Sequence, residues 1–123
     1  MENNEAIVNE TLLESKRYIQ VLIHHLNLYL QYSNEGKSNE ANELLIKLAE
    51  GLDWQFRALE LLSDKLKSAI NKEETQEILT QINSAILNRD NVLLKDLFEY
   101  ELIPILERDL KIVEKEIKDR KLK

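Results

Sequence analysis

The chain has 123 residues, 43% hydrophobic and 33% charged, with 17 basic against 23 acidic side chains for a net charge of −6. That length suits one helical-bundle domain over residues 1–123, and the composition suits a packed core rather than a disordered chain. The acidic balance offers no general field for nucleic acid or anionic lipid, and the absence of cysteine excludes disulfides, thiolate nucleophiles and sulfur-bound zinc.

Two glycines and one proline leave little material for turns, while aliphatic residues recur at helical spacing. The predicted class is therefore all-α, an antiparallel four-helix bundle made of two helical hairpins. The first helix is expected over about 5–34, where Val8, Leu12, Ser15, Ile19, Leu22, Leu26 and Tyr29 alternate in steps of four and three as one seam. Gly36 can take the left-handed conformation that ends it, and Ser38 is positioned to cap the next helix. That second helix is expected over about 39–70, with a seam of Ala41, Leu45, Leu48, Leu52, Gln55, Leu59, Leu62, Leu66 and Ala69. The run NKEET at 71–75 reads as a turn. A short third helix, about 75–88, then turns Ile78, Ile82, Ala85 and Ile86 inward, and NRDN at 88–91 reads as the last turn.

The fourth helix is expected over about 91–119, kinked at Pro104. Proline has no N–H for the carbonyl of Tyr100, and its ring pushes that carbonyl aside. The expected seam is Leu93, Leu97, Tyr100, Ile103, Leu106, Leu110, Val113 and Ile117. Beside it runs a second apolar stripe of Leu94, Phe98, Leu102 and Ile105, interrupted by Glu101. A shift of 53 positions lays the second helix of the first hairpin over this one, with Gly51 on Pro104 and Leu48 on Glu101. The basic tail KIVEKEIKDRKLK, 111–123, reads as a solvated helix end.

Catalytic and metal chemistry find little support. The two histidines are adjacent, His24 and His25, so they point about 100° apart on a helix, and the residues three before them are Val21 and Leu22 rather than glutamate. The Gly-Lys-Ser of EGKSNE lacks the upstream glycine and strand of a phosphate loop. No catalytic, cofactor-binding or metal-ligating residue is assigned, and no enzyme activity is expected.

The apolar excess carries the functional expectation. One domain of this size cannot easily cover two stripes on the fourth helix together with the aromatic flank of the first, and large exposed apolar patches mark partner surfaces. The expected interface is a groove on the first and fourth helices, formed by Tyr18, Val21, His25, Tyr29, Trp54, Phe98, Glu101, Leu102 and Ile105. Its partner would be a protein, either a second copy or a helical client, with no role for nucleic acid or membrane. On that expectation Phe98→Asp or Leu102→Asp breaks association and spares helical content. A rival reading places a small ligand in a polar cavity around Glu101, Tyr100 and His25.

The segments VLLKDLFEYELIPILERDL, 92–110, and LLIKLAEGLDW, 44–54, resemble small all-helical bundle proteins of unknown function from low-GC Gram-positive bacteria. The resemblance implies a bacterial protein without an assigned activity. The acidic, polar N-terminus and the broken apolar window at 18–32 imply a cytoplasmic one.

Overall fold

The computed structural model describes residues 2–68 and 70–122, the side chains of Glu2 and Asn3 excepted. The described residues form four helical rods and no strand. They are α1 (Glu2–Asn34), α2 (Ser38–Leu62), α3 (Lys72–Leu87) and a last rod in three parts. That rod comprises α4 (Asn91–Leu97), a π-helical turn (Phe98–Leu102) and α5 (Ile103–Asp119).

The seam expected on α1 is the spine of the core: Val8, Leu12, Ser15, Ile19, Leu22, Leu26 and Tyr29 are all buried. α1 packs against α2 along one flank and against α5 along another, while α3 packs against α4. The helix stops where Gly36 takes a φ of +75°. Gly36 N–H then donates to the Ser33 carbonyl and Lys37 N–H to the Tyr32 carbonyl, the paired bonds that close a helix at a left-handed residue. Ser38 is the first helical residue rather than the cap; Lys37 holds the capping position without a side-chain bond.

Two boundaries depart from expectation. α2 ends at Leu62, eight positions before Ile70, because tertiary partners take the backbone that follows. Glu116 Oε1 accepts from Lys67 N–H at 3.2 Å, and Arg120 Nη2 donates to the Lys65 carbonyl at 3.0 Å. Leu66 is half-buried beyond the helix, and Ala69 lies outside the described residues. α3 starts at Lys72 rather than 75, because Asn71 Oδ1 caps it by accepting from Glu74 N–H at 3.0 Å. Glu73 and Glu74 in the first turn complement the positive helix start. The NKEET segment is thus a helix start, not a turn.

Pro104 is accommodated by the π-helical turn just upstream of it. Ile103 N–H donates to the Phe98 carbonyl, five residues back, and the rod continues past the proline to Asp119. Tyr100 and Pro104 are both exposed, so the proline stands on the water-facing side of the rod. The extra residue in that turn changes which positions point inward. Leu94, Phe98, Leu102 and Ile105 are buried, whereas Leu93 and Tyr100, expected in the seam, face solvent at 43% and 69% exposure. The stripe expected to be surplus is therefore core as well, alongside Leu97, Leu106, Val113 and Ile117 of the expected seam, which are buried. The alignment of the two hairpins also breaks here, since Gly51 and Leu48 are buried but Pro104 and Glu101 are exposed.

Phe98 is fully enclosed and meets Tyr29 edge to face, with ring centroids 5.3 Å apart. Phe98→Ala should lower unfolding stability by about 3–5 kcal/mol through lost burial and an unfilled cavity. Chemical denaturation checks this, and a loss under about 1 kcal/mol would place Phe98 at a surface instead.

Candidate functional site

The nine residues expected to form a groove on the first and last rods are divided by the structure. Tyr29, Phe98, Leu102 and Ile105 are buried in the chain's own core, so they cannot anchor a partner. The reason is the register at the π-helical turn, which aims the Phe98 stripe at α1 and closes that face. His25 is half-buried beside His24, with the two rings 5.8 Å apart. Glu101 is exposed and has no ion-pair partner among the described residues. The cations considered for it are engaged elsewhere: Arg57 binds Asp53 at 3.1 Å, and Arg108 binds Glu74 at 2.7 Å.

Tyr18, Val21 and Trp54 do reach the surface, on the α1–α2 face. Tyr18 and Trp54 meet edge to face with centroids 5.0 Å apart, and Trp54 is 41% exposed. Val21 lies one turn along α1 from Tyr18, and exposed Leu61 lies two turns along α2 from Trp54. Gly51 makes this arrangement possible. A Cβ there would stand 2.6 Å from Tyr18 Oη and 3.0 Å from Leu22 Cδ2, so only glycine lets the tyrosine lie this close to α2. The result is an open cleft of about 540 Å³, lined by Tyr18, Gly51 and Trp54 and rimmed by Glu14, Arg17, Lys47 and Glu50. None of the four rim charges is ion-paired among the described residues, so each is free to meet a charge brought by a partner.

A second groove, about 470 Å³, runs between α3 and α5 at the proline. Tyr100 and Glu101 line it with Glu77, Pro104 and Arg108, but His25 does not, so the three groups of the expected polar cavity do not converge. Among the described residues no cluster of three or more His, Asp or Glu is placed to hold a metal ion, and no helix is long and apolar enough to cross a membrane.

The polar interior escaped the sequence reading. Arg120, expected on a solvated helix end, instead donates to Glu116 Oε2 at 2.9 Å, Glu5 Oε2 at 2.9 Å and Asn9 Oδ1 at 3.0 Å, besides the Lys65 carbonyl. It joins α1, α5 and the segment after α2. Burial alone would push the Glu116 carboxyl up, but the bonds from Arg120 and the Lys67 N–H outweigh it and hold the group below its usual range. The i to i+4 spacing of Glu116 and Arg120 was the available signal, but solvated pairs show the same spacing.

By architecture, then, the described residues make an all-helical protein of four rods whose apolar stripes close mainly on one another. Residues 10–110 match the family described as Domain of unknown function (DUF8042), and the chain belongs to that family. This agrees with the likeness to helical proteins without an assigned activity. No curated protein and no solved structure matches the chain.

Two outcomes test this geometry. Gly51→Ala gains about 1 kcal/mol of helix preference but forces the Tyr18 ring aside, so stability should change by less than about 1 kcal/mol. Emission from Trp54, the sole tryptophan, should shift as its edge contact is lost; an unchanged spectrum would count against the cleft as described. Arg120→Ala should cost about 2 kcal/mol at neutral pH, because it strands the buried Glu116 carboxylate. A lowered folded-state pKa gives stability that is present above the unfolded value and lost in acid. The deficit of Arg120→Ala should therefore shrink as pH falls through the carboxylate range, as followed by denaturation at a series of pH values.

Proposed function

We propose that this protein is a non-enzymatic interaction module that binds another protein chain through the α1–α2 cleft. The observation that supports this reading most is the half-exposed Tyr18–Trp54 pair over Gly51, flanked by exposed Val21 and Leu61. Aromatic residues give large contact area for little lost side-chain freedom, and they dominate the anchors of protein interfaces. A rim with two acids and two bases suits an amphipathic partner whose own charges alternate, as on a helix. The surface thus differs from the groove on the first and fourth helices that the sequence suggested.

In this reading the four rods close as an antiparallel bundle of two hairpins, α1 with α2 and α3 with the last rod. Support comes from contacts at both ends of α1. Tyr29 meets Phe98 near the C-terminus of α1, while Glu5 and Asn9 meet Arg120 near its N-terminus, so the last rod runs back along α1. A single cytoplasmic domain that pairs with a second copy of itself is the simplest form of the proposal, since a shared patch is all that a symmetric dimer needs.

Sedimentation over a concentration series tests it. The mass of the native chain should rise toward a dimer as concentration increases, with a blue shift of Trp54 emission as the ring leaves water. Trp54→Ser with Val21→Ser should stay monomeric at unchanged helical content by circular dichroism. A constant monomer mass with unshifted emission would overturn self-association through this face.

A further inference from the structure

α2 packs on α1 and α3 packs on α4, so α2 and α3 face each other across a seam that neither closes. A cleft of about 170 Å³ lies in that seam. Leu52, Ile82 and Phe98 are buried along its floor, and Leu45 forms a half-buried wall. The polar side chains of its lining, Asp53 and Asn83, are exposed and stand at the lip with Ala49, whose small side chain leaves the mouth open.

The inner cleft opens into an outer bay of about 280 Å³, since Asp53 and Leu79 line both. The bay is polar at its rim but carries no net charge. Asp53 and Arg57 are ion-paired at 3.1 Å, and the other two charges, Glu60 and Lys72, are of opposite sign. The Thr75 hydroxyl is spent on the Asn71 carbonyl at 3.0 Å, whereas the Gln76 amide at the rim can both donate and accept.

Left empty, the cleft forfeits the dispersion contacts of the atoms that line it. Water fills it poorly, because a buried water needs about two to four polar partners. Inside the lip the lining side chains are apolar, and the helical backbone groups are spent on one another. A helix about 10–12 Å across is too wide for a space of this volume, whereas a dry apolar cavity of about 150 Å³ takes up benzene. We propose that the α2–α3 cleft binds a small uncharged amphiphile, its alkyl or aryl end in the inner cleft and its hydroxyl or amide end in the bay. A full charge at that end gains nothing from a bay whose charges balance, and it loses hydration on entry.

This site lies apart from the α1–α2 face. At about 100° per residue, Leu45 and Leu52 stand roughly 160–180° around α2 from Trp54, so the two surfaces are on opposite sides of one helix. Titration of the full-length chain with butanol, pentanol and hexanol, followed by amide ¹H–¹⁵N shifts, tests the proposal. The shifts should gather on Leu45, Ala49, Leu79 and Ile82, and affinity should rise about fourfold per added methylene. Hexanoate and hexylammonium should each bind on the order of tenfold more weakly than hexanol. Ala49→Phe fills the mouth from an exposed position, so helical content should hold by circular dichroism while the hexanol shifts vanish. Shifts scattered over the surface with no dependence on chain length would overturn the site, as would a hexanoate affinity equal to that of hexanol. Unaltered hexanol binding by a folded Ala49→Phe would overturn it too, and the wild-type series decides the matter even if that variant does not fold.

Discussion

Burial of one continuous stripe along α1, apolar but for Ser15, is the constraint on which the rest of the molecule depends. The helix is 33 residues long, and its seam runs from Val8 to Tyr29 without a gap. A helix of that length is about 50 Å long, so a single short partner cannot cover it. α2 covers one flank and the last rod another, and the sites described above are set by how each meets α1. Tyr18 can lie against α2 only because Gly51 has no side chain. Phe98 is enclosed because it meets Tyr29 from the other side.

The proline shows how a local defect becomes a global decision. A helix can absorb the missing N–H by bending or by widening one turn, and this one widens, with Ile103 bonded back to Phe98. The widened turn brings Leu94, Phe98, Leu102 and Ile105 into the interior and leaves Tyr100 in water. Four residues that looked like surplus surface are consumed by the core, while Val21, Trp54 and Leu61 stay exposed on the α1–α2 face.

Polar groups at the two levels of the interior behave in opposite ways. Near the N-terminus of α1, Arg120 satisfies Glu116 and ties three segments together, a clamp that works with Glu116 ionised. Midway along the rods, Asp109 is enclosed with its second oxygen unpartnered, which favours the neutral acid. The two carboxyls lie seven residues apart on the same helix, yet burial and partners push their acidities in opposite directions. The difference is the number of donors each finds, not the depth of burial alone.

Periodicity in the sequence determined that the chain is all-helical, how many rods it has, the whole α1 seam and the left-handed stop at Gly36. Those features follow from spacing along one helix and from the steric freedom of one glycine, which are local properties. Three other features were decided only by tertiary structure. Glu116 of α5 and Arg120 just after it capture the backbone at Lys67 and Lys65 and end α2 early. Around the widened turn the second stripe is buried together with Leu97 and Leu106 of the first, while Leu93 and Tyr100 face water. Ser15, Gln55 and Asp109, polar side chains on three different helices, are fully enclosed. Each depends on which groups meet across helices far apart in the chain, and a pattern read along a single helix carries no record of what lies opposite it.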